Sequence, residues 1–157
     1  MSARQPQAMR RRLTPAWRYL WALPCTLVGV SAALPFVWCG AQVRRHSGVI
    51  EVSIAPRGGR MAALAGRLPF DAITLGHVVL ARSPRAMARW RAHERVHVRQ
   101  CERWGPLFFP AYLAAGAWQW LRGRRAYRDN PFEIAAFEAE VRVADSSPAA
   151  DSSRTSA

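Results

Sequence analysis

The pattern of apolar and charged residues divides the chain into a basic start, a long apolar run and a mixed remainder. Residues 1–18 carry five arginines and no acidic residue, and residues 19–41 contain no charged residue. As a helix rising about 1.5 Å per residue, this run spans about 34 Å, more than the bilayer hydrocarbon core of about 30 Å. Trp17, Trp21 and Trp38 lie near its ends, where interfacial aromatic residues are common. We therefore predict a basic tail at 1–18 and a single transmembrane anchor at 19–41.

Two other interpretations of the apolar run remain open. A cleaved signal peptide requires a shorter apolar stretch and a small-residue cleavage site, for which Cys39-Gly40-Ala41 is a poor candidate. A buried core helix is the second alternative. Arginines flank the run on both sides, so the side of the membrane on which the following domain lies stays open.

The remainder, residues 42–144, predicts a small α+β domain that is mostly helical. Residues 48–54 alternate between apolar and polar and predict a strand, and the β-branched run at 73–81 predicts a second, more buried strand. A helix then begins after the N-cap residue Ser83 and ends before the Gly-Pro pair at 105–106.

Two more helices are expected beyond that point. Residues 106–121 are apolar but short for a membrane span of about 20 residues, so we expect a helix packed on the domain or lying at the membrane interface. In the second case Trp118, Trp120 and the following arginines lie at the headgroup level; a simple buried core helix is the alternative. Asn130-Pro131 opens a final helix over 131–144, and residues 145–157 are expected to form a disordered tail.

The predicted central helix contains the sequence His93-Glu94-Arg95-Val96-His97, an HExxH motif. Residues four apart share one helix face, so His93 and His97 can direct both imidazoles at one metal ion. Glu94 lies one position further round and can take a proton from a metal-bound water. Two histidines and one carboxylate around zinc leave a position open for water, as in catalytic sites.

The residues around the motif separate a core face from a basic face. A stripe of Met, Trp and Cys at helical spacing includes Glu94 and His97, so this side is expected to face the core, where polar groups need partners or a metal. Arginines recur every four residues on the far side, where they face lipid, another helix or solvent. These arginines are Arg91, Arg95, Arg99 and Arg103.

A third metal ligand has to come from elsewhere in the chain. Glu133 and Glu138 differ by about 140° round a helix, so both cannot face one metal. We favour Glu133, in the first turn of the final helix, with Glu138 as the alternative; stabilising the helix N-terminus is the other role open to Glu133. The full set of candidates is His46, His77, Asp129, Glu133, Glu138 and Glu140.

These motifs resemble the gluzincin zinc metallopeptidases, and are especially similar to small bacterial membrane-associated members with HExxHxxQ followed by an NPFE-type helix. The resemblance covers roughly residues 72–141. It implies that His93, His97 and Glu133 bind zinc, and that Glu94 is the catalytic base that later protonates the leaving amine. The residues that carry the resemblance are His93, Glu94, His97, Gln100, Asn130, Pro131, Phe132 and Glu133.

The same resemblance implies a location and a cleft. It implies a zincin-like domain in a single-pass protein of the bacterial inner membrane that hydrolyses peptide bonds in peptide or protein substrates. The strand at 73–81 would line the substrate cleft, and Gly76 would let a peptide backbone approach closely. One departure is Phe137, which stands where the family places an acidic residue four positions after the third ligand.

The net charge of the chain bears on which classes of partner it could bind. The 157 residues carry a formal net charge of +13, and all 23 basic residues are arginine. A nucleic-acid partner is disfavoured because no recognition motif is visible, whereas the arginine clusters flank the apolar segments, which favours an anionic lipid surface. Two alternatives to a peptidase remain: a non-catalytic membrane protein with a structural metal site, and an arginine-rich lipid-binding protein whose HExxH is accidental.

Overall fold

A computed structural model describes residues 16–55 and 59–145, which form a mostly helical α+β arrangement. The predicted fold class is confirmed at this level. Most of the basic tail and nearly all of the C-terminal tail lie outside the described residues. The elements are α1 (Ala16–Trp21), α2 (Leu23–Trp38), β1 (Gln42–His46), β2 (Val49–Ser53), α3 (Gly59–Gly66), β3 (Ala72–Leu75), β4 (Val78–Ala81), α4 (Pro84–Trp104), α5 (Phe108–Leu121) and α6 (Pro131–Asp145), with a short 3-10 turn at Gly105–Leu107.

The four strands form one sheet in the order β1-β2-β4-β3. The central pair β2 and β4 is parallel, and the two outer pairs are antiparallel. Successive side chains of a strand point to opposite faces, so β4 contributes to two cores. Val78 and Leu80 pack with Ala33 of α2 on one face, whereas Val79 and Ala81 pack with α4 on the other. The sheet is therefore covered on both sides by helices.

The single strand predicted at 73–81 is wrong, because this segment is the hairpin β3–β4. Gly76 has a positive φ of 66°, which allows the chain to reverse direction within an apolar run. A Cβ on Gly76 would lie 2.4 Å from the backbone nitrogen of Thr26 in α2. Gly76 thus serves a turn and a close contact with α2, instead of the approach of a substrate backbone.

The predicted anchor at 19–41 is divided into α1 and α2 at Ala22. Pro24 lies in the first turn of α2, where its missing N–H removes a bond that a continuous helix would need. Gly29 packs so closely on the β3–β4 hairpin that a Cβ there would lie 2.5 Å from the Leu75 carbonyl oxygen. Across the described ranges, none of the helices combines the length and the apolar character that crossing a bilayer requires.

The capping signals correctly predicted helix α4. The hydroxyl of Ser83 accepts a hydrogen bond from the Ala86 N–H at 3.1 Å, and the helix ends at Gly105, whose φ is 55°. Its predicted core stripe is buried at Met87 and Cys101 but ends in Trp104, which is exposed along part of its surface. Helix α6 also begins at Pro131, as the Asn-Pro signal predicts.

The arginine ladder of α4 partly faces the sheet, in addition to the lipid, helix or solvent expected from its spacing. The Arg91 guanidinium forms two hydrogen bonds of 2.9 Å with the buried carboxylate of Glu51 on β2. Arg95 donates to the His46 carbonyl at the end of β1. Arg99 and Arg103 are exposed. The first half of the ladder therefore fixes α4 against the β1–β2 hairpin.

Candidate metal centre

Helix α4 brings the two histidines of the motif together on its buried side. His93 and His97 expose only 2% and 7% of their surface, and their Nε2 atoms lie 3.2 Å apart. This proximity follows from the i, i+4 spacing, which places the two imidazoles next to each other on one face of the helix. Two imidazole nitrogens facing each other at this distance require a proton or a cation between them.

Helix α6 supplies the carboxylate, and Asn130 fixes where that helix begins. Asn130 is fully buried, and its side-chain oxygen accepts a hydrogen bond from the Phe132 N–H while its amide donates to the Tyr112 carbonyl. Its own carbonyl accepts from the Glu133 N–H. The Asn-Pro-Phe-Glu sequence thereby directs Glu133 inward from the first turn of α6.

The three side chains form a compact ligand set. Glu133 Oε2 lies 3.2 Å from His93 Nε2, and Glu133 Oε1 lies 3.4 Å from His97 Nε2. Ligand atoms arranged tetrahedrally around an ion at about 2.0 to 2.1 Å lie about 3.3 Å from one another. Glu133 Oε2 is buried and has no hydrogen-bond partner among the described residues. This buried His-His-Glu group could hold a metal ion.

The electrostatics of the group favour a bound positive charge. Burial acts to raise the pKa of Glu133, but the adjacent imidazoles of His93 and His97 and the hydrogen bond from Tyr112 outweigh it, so its pKa lies well below the usual value. Burial likewise acts to lower the pKa of His97, but the hydrogen bonds with Glu133 and Gln100 raise it overall. An ionised carboxylate beside two buried imidazoles is the charge balance that a divalent cation requires.

Two neighbouring side chains orient the candidate ligands. His97 Nδ1 lies 2.8 Å from Gln100 Oε1, and the Gln100 amide donates to the Phe132 carbonyl on α6. A proton on Nδ1 leaves the Nε2 lone pair free for a metal. The Tyr112 hydroxyl donates to Glu133 Oε1 at 2.7 Å. No local sequence pattern marks Tyr112, because α5 meets the centre only through tertiary packing.

Glu94 lies beside the ligand group and is bound by the sheet. The Thr74 hydroxyl is 2.7 Å from Glu94 Oε2 and 3.1 Å from the Glu94 carbonyl oxygen. Burial raises the pKa of Glu94 above its usual value, although the Thr74 hydrogen bond opposes the shift. A raised pKa moves the titration of this carboxyl group closer to neutral pH. A general base works best when its pKa lies near the pH at which the enzyme operates. Sequence reasoning missed Thr74, since β3 was not recognised as a separate strand.

The other candidate ligands do not join His93, His97 and Glu133 in one converging set of ligand atoms. Glu138 is exposed and pairs with Arg142 at 3.2 Å. Glu140 Oε2 comes within 4.0 Å of His93 Nδ1, and Phe137 packs its ring on His93 with centroids 4.8 Å apart. His46 is exposed on β1, His77 bonds Thr26 and Glu102, and Asp129 bonds Arg125.

A cleft of about 510 Å³ opens on the centre. Clefts of about 300 to 1,000 Å³ hold small ligands or parts of larger ones. Glu94, His93, His97 and Glu133 form its polar floor. Most of the remaining wall is apolar or aromatic and comprises Pro69, Phe70, Ala72, Ile73, Trp90, Phe108, Phe109, Tyr112, Leu113 and Tyr127.

A comparison with known families, curated proteins and solved structures finds no match to this chain.

Proposed function

We propose that the protein is a zinc metallopeptidase of the gluzincin type. The observation that carries the proposal is the convergence of His93 and His97 from α4 with Glu133 from α6, all buried and facing one cleft. Glu94 lies in the same cleft, and a purely structural metal site has no need of it. Two nitrogens and one carboxylate oxygen form the donor set of catalytic zinc sites.

Zinc is proposed because of the donor types and their geometry. Two imidazoles and a carboxylate suit zinc, whereas magnesium and calcium prefer oxygen ligands alone. Three protein ligands leave a further coordination position, as hydrolytic sites require. When bound, zinc supplies an acidified water as nucleophile and polarises the substrate carbonyl.

The chain's own residues supply the remaining steps. Glu94 accepts a proton from the attacking water and passes it to the leaving amine, and the Thr74 hydroxyl holds one carboxylate oxygen in position for both transfers. Gln100 and Tyr112 orient His97 and Glu133.

Strand β3 offers the substrate a place to bind. It pairs only with β4 within the described residues, so its outer edge has no strand partner there, and Ala72, Ile73 and Thr74 line the cleft. An extended peptide can add to such an edge through backbone hydrogen bonds, while its side chains enter neighbouring pockets. The aromatic wall favours substrates with a large apolar residue beside the scissile bond.

The test compares wild type with Glu94→Gln, using Glu138→Gln as the matched control on an exposed carboxylate. Each is loaded with zinc and incubated with casein, and new N-termini are quantified. Wild type and Glu138→Gln are expected to cleave equally, and Glu94→Gln about 10²- to 10⁴-fold more slowly with its zinc retained.

Two results would overturn the proposal. One is activity in Glu94→Gln equal to that of wild type. The other is a zinc-loaded, folded wild type that cleaves neither casein nor any member of a mixed peptide library.

A further inference from the structure

Helix α5 presents an apolar face to solvent. The exposed positions repeat every three or four residues, as expected for one side of a helix. Leu113, Trp118 and Leu121 expose 68%, 56% and 70% of their surface. We call this surface the α5 face; it comprises Leu107, Leu113, Ala114, Ala117, Trp118 and Leu121.

The side of helix α5 opposite the α5 face is already packed against the protein. Phe108, Gly116 and Gln119 are buried, and a Cβ on Gly116 would lie 3.2 Å from the Ala126 carbonyl oxygen. A helix that covers the core with one side normally presents polar residues on the other. Exposed apolar surface of this kind marks a site of interaction with a protein or a membrane.

Arginines border the C-terminal end of the α5 face. Arg122, Arg124 and Arg125 are exposed, and the Arg122 guanidinium lies 5.1 Å from the Trp118 ring centroid. Residues 103–128 contain no acidic side chain. Tryptophan next to arginine is the combination found where a helix meets phospholipid headgroups, because the ring lies at the boundary while the cation pairs with phosphate.

We propose that the α5 face docks on an anionic phospholipid bilayer, with Arg122, Arg124 and Arg125 at the phosphate level. Helix α5 then lies along the surface, since its buried side is occupied by the protein. A second copy of the chain is a poorer occupant. A twofold contact uses the same surface on both copies, and residues 103–128 carry no acidic side chain that could pair with these arginines.

The docked position also defines a substrate class, a step that rests on the proposed peptidase function. Leu113 belongs to the α5 face and lines the cleft, and Phe109 lines the cleft from the same helix. The mouth of the cleft therefore opens beside the lipid surface. The substrates inferred from this placement are polypeptide segments held at the membrane, by a lipid anchor or by a neighbouring membrane helix.

The docking test measures binding of the full chain to vesicles of phosphatidylcholine, alone or mixed with phosphatidylglycerol, by flotation. Trp118→Ser with Leu121→Ser is compared with a control pair on other surfaces, Leu64→Ser with Val141→Ser, which are also exposed apolar residues. At about 0.5 M salt the Debye length is about 4 Å, so arginine attraction is suppressed and apolar insertion dominates. There the α5 pair is expected to bind at least about tenfold more weakly than wild type, with the control pair unchanged.

The arginines are tested at low salt with a triple variant in which Arg122, Arg124 and Arg125 are replaced by Gln. The control is a triple variant with the same replacement at three exposed arginines elsewhere, Arg60, Arg85 and Arg99. One basic residue near an anionic surface contributes about 1 kcal/mol, a factor of about five in binding, so the first triple is expected to lose at least about tenfold. Circular dichroism verifies that each variant is folded.

Failure of wild type to bind either vesicle, or equal binding by wild type and the α5 pair, overturns the docking proposal. The docking proposal is also overturned if wild type binds no vesicles but forms a dimer in light scattering, and the α5 pair of substitutions abolishes that dimer.

The substrate step is tested with one peptide sequence, either free or attached to the vesicle through a palmitoyl chain. Wild type is expected to cleave the attached form faster, and the α5 pair to lose that preference while cleaving the free form at the wild-type rate. If the α5 pair prefers the attached peptide over the free peptide as strongly as wild type does, the proposed substrate class is wrong. Vesicle binding without cleavage of either form instead contradicts the peptidase function and leaves the docking surface standing.

Discussion

At the scale of single residues, the candidate ligands are oriented by side chains that do not themselves face the shared ligand position. Gln100 accepts from His97 Nδ1, and Tyr112 donates to Glu133. Gln100 also bonds the backbone of α6, so one amide connects the helix that carries the histidines to the helix that carries the carboxylate. Gln100 therefore constrains the relative position of the two helices as well as the orientation of His97.

We predict that Gln100→Leu lowers zinc affinity about 10- to 100-fold, because His97 loses the acceptor that fixes its tautomer and ring orientation. Competition with a chelator of known affinity measures the change. Gln100→Glu keeps an acceptor at the same position and is expected to bind zinc at least as tightly as wild type. Wild-type affinity in Gln100→Leu would remove Gln100 from the account of the site.

Spacing along the chain was sufficient to find the candidate ligands but not their supports. His93, His97 and Glu133 follow from helical periodicity and from the Asn-Pro helix start, which are local signals. Thr74 and Tyr112 lie on β3 and α5, and reach the site only because the sheet and three helices pack together. No local pattern marks a hydroxyl for such a contact.

At the scale of elements, one charged pair connects α4 to the centre of the sheet. Burial acts to raise the pKa of the Glu51 carboxyl, but the hydrogen bonds from Arg91 outweigh it and keep the pKa below its usual value. The folded pKa is thus lower than the unfolded value of about 4.3. The pair's contribution to the free energy of unfolding is therefore fully present above about pH 4.3. It is lost as the pH falls through the pKa that Glu51 has in the folded protein.

We predict that Arg91→Leu lowers the free energy of unfolding by about 2 kcal/mol at neutral pH, because it leaves the buried Glu51 carboxylate unpaired. The loss is expected to shrink as the pH is lowered towards about 4, where that carboxylate can be neutralised. Urea unfolding over this pH range measures it. Arg99→Leu, on an exposed member of the same ladder, is the control, and an equal loss in both variants at neutral pH would refute the interpretation.

Helices with clear start and stop residues were predicted well, whereas strands were predicted less well. Ser83 and Asn130 cap their helices as the sequence indicates. Strand β1 was not predicted because its sequence, Gln-Val-Arg-Arg-His, is that of a polar edge strand without an apolar alternation. The β3–β4 hairpin was missed because its turn, Gly76-His77, lies within a continuous apolar run.

At the scale of the whole molecule, hydrophobicity did not distinguish a membrane span from a helix that packs on a sheet. The apolar run at 19–41 covers one sheet face through Gly29 and Ala33, whereas Cys25, one turn earlier, is buried against the Gly105 carbonyl. Small residues at this spacing allow close approach of α2 to the hairpin. The contact was not predictable from the run itself, since it depends on the β3–β4 hairpin about 50 residues further along the chain.

The candidate centre joins two distant parts of the chain. His93 and His97 lie on α4 and Glu133 on α6, so a metal bound by all three connects the helix that covers the sheet to the last helix of the fold. Anything that binds only the folded state stabilises it, by about 4 kcal/mol at a thousandfold excess over the dissociation constant. Zinc is therefore expected to raise the melting temperature only while all three ligands are present.

The most direct test of the central claim is the zinc content of three forms of the protein, wild type, Glu133→Gln and Glu138→Gln, purified without chelator and quantified by mass spectrometry of the metal. The account predicts about one zinc per chain in wild type and in Glu138→Gln, and strong depletion in Glu133→Gln, because Glu133 lies against both histidines whereas Glu138 is exposed and pairs with Arg142. A wild type without zinc, or a Glu133→Gln protein that retains zinc at the wild-type level, would contradict it.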